Sequence, residues 1–180
     1  MATTLTNLGN AYGDLGDHAK KRDMLERALA IKERAYGRDH TNVAITLASL
    51  GNAYGALGDP AKQRDMLERA LAIFERAYDR DHTNVAAALA SLGIAYGKLG
   101  DHAKKRDMLE RALAINERAY GRDHTNVAIT LFNLALAHGS LGDNSKKREL
   151  LERVLPVWTR AYGTDHPHTR LCQKALAGMS

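Results

Sequence analysis

One stretch of 29 residues, GDHAKKRDMLERALAIKERAYGRDHTNVA at 16–44, returns almost unchanged at 58–86 and 100–128, and a looser copy opens at Gly142. Leu8, Leu50, Leu92 and Leu134 stand 42 residues apart, and so do Tyr36, Tyr78, Tyr120 and Tyr162. A strict period of this length is the mark of a solenoid or another repeat array. It also narrows the function. An active site needs one constellation of residues used once, whereas a stacked array needs one unit used many times.

Each unit holds two helical patterns. Val43, Leu47, Leu50, Tyr54 and Leu57 are spaced as one apolar stripe on a helix. Met66, Leu67, Ala70, Leu71, Ile73, Ala77 and Tyr78 form a broader face on the next. Gly58 ends the first helix, Asp59 caps the second and Pro60 opens it. Gly37 and Gly121 stop the second helix in their copies. No strand pattern alternates anywhere. A helical hairpin of this kind cannot bury both of its apolar faces alone, so neighbours must stack. Recurring small residues (Ala28, Ala70, Ala112 and Gly9, Gly51, Gly93) allow close helix approach.

Composition agrees with a folded, helix-rich chain: hydrophobic residues are 44% and charged residues 26%. The formal charge of +5 is interleaved in sign, as in KKRDMLER, and reads as a solvated face with i,i+4 pairs such as Arg22–Glu26 and Asp23–Arg27. The single cysteine, Cys172, excludes an internal disulfide and a cysteine-based zinc site, and suits a reducing, cytoplasmic setting. No apolar run reaches membrane-span length, and the first residues lack a secretory pattern.

The sequence L-G-x-x-Y at Leu50, Gly51 and Tyr54, then Gly58–Asp59, then Ala70–Leu71, resembles the tetratricopeptide repeat (TPR). The 42-residue unit and the YGRDHTNVA connector at 36–44 resemble the subclass found in kinesin light chains. The resemblance implies an all-α fold: a right-handed α-solenoid of stacked helix-turn-helix hairpins with a C-terminal capping helix. Units are expected at about 1–40, 41–82, 83–124 and 125–165, with a capping helix at about 166–178, all in one domain over 1–180. Three departures stand out. Leucines 5, 47, 89 and 131 replace the family's tryptophan. Lys21, Gln63, Lys105 and Lys147 replace its small residue early in the second helix. Thr41, Thr83 and Thr125 replace the linker proline, which returns as Pro167. The first residue falls where a first helix would begin, so the chain reads as cut at a repeat boundary.

Nothing in the pattern points to catalysis, and no cofactor is expected. The Asp–His pairs at 39–40, 81–82, 123–124 and 165–166 sit in equivalent corners and are too far apart to share a metal ion. They read as connector structure. No metal site and no catalytic residue is assigned. Nucleic acid is not an expected partner, because the HAKKRD runs lie on second helices that face outward in the TPR family. No membrane partner is expected either.

What the resemblance implies is a protein or peptide partner, of unspecified identity, held in a concave groove lined by the first helices. Carried over by position, the groove set comprises Thr3, Thr6, Asn10, Gly13 and Asp14; Ile45, Ala48, Asn52, Gly55 and Ala56; Ala87, Ala90, Ile94, Gly97 and Lys98; and Ile129, Phe132, Leu136, Gly139 and Ser140. The residues assigned to partner binding are Asn10, Asn52, Ile94, Lys98, Ile129, Phe132 and Leu136. The groove is expected to run from polar to apolar, with Ile94, Ile129, Phe132 and Leu136 as an apolar patch. The positions of the family's carboxylate clamp hold Thr6, Asn10, Ser49, Ala87 and Ser91, so a terminal carboxylate would lack its cations. The alternative function is self-association into a homo-oligomer, by domain swapping or end-to-end stacking. Phe74 is left open at this level: it is either exposed or packed on the next hairpin.

Overall fold

The computed structural model describes residues 1–178. Among the described residues nine helices follow one another: α1 Ala2–Asp14, α2 His18–Tyr36, α3 Thr41–Ala56, α4 Pro60–Ala77, α5 Thr83–Lys98, α6 His102–Tyr120, α7 Thr125–Ser140, α8 Asn144–Tyr162 and α9 Pro167–Ala177. Among the described residues there is no strand. Every helix packs on the next in the chain, and the first helices of neighbouring hairpins also touch, α3 with α5 and α5 with α7. The chain is an all-α solenoid in which α9 packs on α8.

Local chemistry sets these boundaries. Asp17, Asp59, Asp101 and Asp143 each accept a hydrogen bond from the backbone N–H three residues on, capping the second helices. Before each of them sits a glycine in the left-handed region, such as Gly58 at φ +82°, where a side chain would be strained. The first helices are capped by histidine: Nδ1 of His40, His82, His124 and His166 accepts from the N–H two residues on. Each imidazole also stacks on the tyrosine four residues earlier, at 4.0–4.8 Å between centroids. The neighbouring aspartates do other work. Asp39, Asp81 and Asp123 pair with Arg76, Arg118 and Arg160 of the next hairpin. In the second unit Asp79 replaces the stop glycine, and α4 ends one residue earlier than its counterparts, at Ala77.

The core is a run of leucines and alanines between hairpins. Leu25, Leu67 and Leu109 are fully buried, as are Ala28, Ala70 and Ala112. Gly51 lies so close to α4 that an added Cβ would stand 3.0 Å from the Leu67 side chain. The departure at Lys21, Gln63, Lys105 and Lys147 has a steric reason. Their stems lie over Gly13, Gly55, Gly97 and Gly139, where any Cβ would meet them within 2.7 Å. Glycine in the first helix leaves room for the longer side chain in the second.

The outer face is organised differently from the expected i,i+4 pairs. Arg22, Arg64 and Arg106 pair with the adjacent Asp23, Asp65 and Asp107. Longer reaches join neighbouring hairpins: Arg69, Arg111 and Arg153 bind Glu33, Glu75 and Glu117 at 2.6–2.7 Å. The hydroxyls of Tyr54 and Tyr96 donate to Glu26 and Glu68 of the preceding hairpin.

Candidate partner-binding groove

First helices α3, α5 and α7 and the cap α9 form one wall. The first helices carry few charges: α1, α3, α5 and α7 together hold Asp14, Lys98 and His138, and α9 adds Arg170 and Lys174. The glutamates and most arginines are on the second helices, while Arg170 lies on α9 and Arg38, Arg80 and Arg122 lie in connectors. Three clefts open between successive first helices. One, of about 160 Å³, lies between Ile45, Ala48 and Asn52 of α3 and Ala87 and Ser91 of α5, with Phe74 of α4 also lining it. The next, of about 240 Å³, lies between Ala87 and Ala90 of α5 and Ile129 of α7, with Asn116 and Tyr120 of α6. The third, of about 220 Å³, lies between Ile129 and Phe132 of α7 and His168 and Leu171 of α9, with Trp158 of α8.

The structure places the seven candidate residues unevenly. Asn10 and Asn52 are exposed, and Asn52 lines the first cleft. Ile129 is 40% exposed and borders two clefts. Ile94 and Leu136 are half-buried and line none of the three. Lys98 is exposed, but its ammonium donates at 2.7 Å to the Gly55 carbonyl, near the end of α3. Phe132 is only 8% exposed and packs its ring 5.1 Å from the Trp158 indole, so it forms a floor rather than a projecting knob. The apolar patch expected from Ile94, Ile129, Phe132 and Leu136 therefore presents mainly Ile129. Glycines 13, 55, 97 and 139 face the second helix of their own hairpin, not a partner.

Sequence reasoning missed the contributions of the second helices to this wall. Phe74 is buried against the next hairpin and lines a cleft, as do Asn116 and Trp158 at the same place in α6 and α8. Their variation within otherwise constant copies was the signal. At that place in α2, Lys32 is buried with its ammonium 2.8 Å from Thr46 Oγ1. Burial pushes its pKa down from the usual lysine range.

Chemistry of another kind has little material. Among the described residues no cluster of three His, Cys, Asp or Glu side chains could hold a metal ion. His166 and His168 lie 5.1 Å apart, but His166 Nδ1 is occupied as a helix cap. The Cys172 thiol is buried and its pKa is raised to about 11 by desolvation, which keeps it protonated and unreactive. No described helix is long and apolar enough to cross a membrane.

Comparison with known proteins agrees with this architecture. Profiles described as tetratricopeptide repeat match residues 1–76, 64–104, 85–126 and 127–168. No curated protein matches the chain. Among solved structures, a Podosopora anserina protein of nearly identical TPR-like repeats, assigned as a kinesin light chain, has a TM-score of 0.83 at 24% identity, over 98% of this chain and 84% of its own. BtubC (BKLC) from P. vanneervenii gives 0.81 at 24% identity, over 92% of this chain and 66% of its own. A MamA protein gives 0.64 at 21% identity, over 99% and 89%. Identities this low establish a shared fold and nothing finer.

Proposed function

Because the chain belongs to the tetratricopeptide repeat family, we propose that it is a non-catalytic, cytoplasmic scaffold that holds a segment of a partner protein against the wall of first helices. Repeats of this family serve as protein-interaction scaffolds in general. The observation that carries the specific reading is the series of three clefts at successive hairpins along one wall. Their linings are where the copies differ most, and residues not needed for stacking are free to recognise a partner. The working division into units at about 1–40, 41–82, 83–124 and 125–165 assigns one first helix of the wall to each.

The test uses peptides selected on the 180-residue chain from a random display library. Binding should fall at least tenfold in Ile129→Asp and in Asn52→Arg, both substitutions at exposed wall positions. It should be unchanged in Lys104→Glu on the opposite, second-helix side. Binding that survives both wall substitutions overturns the proposal. Phe132→Asp is unsuitable, since a buried carboxylate there would damage the fold.

One observation favours self-association as a second reading. Leu8 is 43% exposed, whereas Leu50, Leu92 and Leu134 at the same place are 2–3% exposed. A second copy covering α1 would bury it. Light scattering over a wide concentration range decides this: a constant molar mass removes the reading.

A further inference from the structure

One buried contact refuses to repeat. Where each hairpin meets the next, Lys32, Phe74, Asn116 and Trp158 occupy one place in α2, α4, α6 and α8. Fourteen residues further on, Thr46, Ala88, Thr130 and Cys172 occupy one place in the first helix that follows. All eight are buried. Around the first three joints the core hardly changes: Val43, Val85 and Val127 are alike, as are Leu47, Leu89 and Leu131. At the joint itself the two partners change together. A polar side chain in the second helix meets threonine, and an aromatic one meets alanine or cysteine.

The threonine joints work by direction. Thr46 Oγ1 donates back to the Asn42 carbonyl at 2.9 Å, and Thr130 Oγ1 donates back to Asn126 at 2.9 Å. With the hydroxyl proton spent, the oxygen faces the joint as an acceptor. Lys32 Nζ supplies the donor at 2.8 Å in one joint, and Asn116 Nδ2 at 3.1 Å in the other. The aromatic joints work by volume. Phe74 and Ala88 line the same cleft, a large group against a small one. Trp158 and Cys172, again a large group and a small one, are both buried in the C-terminal core.

Exchange of partners breaks both arrangements. A phenyl ring facing threonine leaves a buried acceptor without a donor and adds atoms to a packed site. An ammonium or amide facing alanine leaves a buried donor without an acceptor. Units that are interchangeable in the rest of their core are not interchangeable here.

We propose that these two positions form a pairing code that fixes which first helix docks on which second helix. It gives near-identical hairpins a unique order and disfavours out-of-register stacking. Phe74, Asn116 and Trp158 also line the wall clefts, so the residues that fix the order set what each cleft offers a partner: phenyl, amide or indole.

Two reciprocal mutant cycles on the full chain test this. In the first, Phe74→Asn and Ala88→Thr are made singly and together, rebuilding the third joint at the second. In the other, Asn116→Phe and Thr130→Ala rebuild the second joint at the third. Each single change should lower the thermal midpoint by about 4–10 °C. Each double should fall short of the summed loss by at least ~3 °C. Additive losses in both cycles overturn the code. Should Asn116→Phe fail to fold, a folded Asn116→Phe/Thr130→Ala double supports the code and an unfolded one overturns it.

Discussion

The middle hairpins and the last one reach the same shape by different means. Between α2 and α6, hairpins are tied by hydrogen bonds and ion pairs repeated in register: Tyr54 to Glu26, Tyr96 to Glu68, Arg69 to Glu33 and Arg111 to Glu75. At α7–α9 that wiring thins. His138 stands in the tyrosine place and faces Asp143 of its own hairpin at 3.3 Å. Thr159 stands where Glu33, Glu75 and Glu117 stood. In exchange the end gains aromatic mass: Phe132 and His168 pack 5.1 and 5.3 Å from Trp158. A middle unit has a covered face on either side and can rely on bonds to its neighbours. The last described hairpin meets the eleven-residue α9 and packs that contact around one large side chain.

Truncation of that side chain should separate the two regions most. Trp158→Ala is expected to cost about 3–5 kcal/mol. Because contacts in a solenoid are between neighbours, the loss should fall first on α8 and α9. Hydrogen exchange should show early amide exposure there while α3–α6 keep their protection, and uniform loss along the chain would contradict the comparison.

Alkaline titration should follow, and it reads the middle hairpins. Donation to Glu26 and Glu68 pushes the Tyr54 and Tyr96 hydroxyls up to about 12. An unfolded tyrosine titrates near 10, so between about 10 and 12 the folded state holds more protons and stability must fall as pH rises. Cys172, raised to about 11, adds a fall with the same sign that starts about one unit earlier. The variant Tyr54→Phe/Tyr96→Phe should flatten the upper part of the curve, and Cys172→Ala the lower part. Denaturant midpoints across this range check both.

The smallest effect should come from the outer ladder. Arg111→Ala and Arg118→Ala remove exposed links to Glu75 and Asp81, worth about 0.2–1 kcal/mol each. Urea unfolding at low and high salt should show the difference shrinking as salt screens the pairs. A salt-independent loss would mean that the arginine stems, not their charges, matter.

Much of the fold was legible because its determinants are local. The carboxylate cap of Asp59, the turn glycine at Gly58 and the apolar stripe from Val43 to Leu57 each act within a few residues of sequence. The wall was less legible. The family resemblance put Asn52 and Ile129 on the groove side of their helices, and both are exposed, but it could not show that Gly55 faces Gln63 or that Phe132 is buried. Those facts depend on the rotation of one helix against another, which a single helix's periodicity leaves open by more than a residue's width.

The sequence by itself determined that hairpins form, where they start and stop, and that they must stack, since no hairpin can bury both of its apolar faces. Tertiary structure alone decided which side chains meet across the stack. The 36- and 37-residue ion pairs, the 28-residue tyrosine bonds and the 14-residue joints join groups on different helices. Their partners are chosen by the crossing of two helices in space, and that crossing is the compromise of every contact in the core at once.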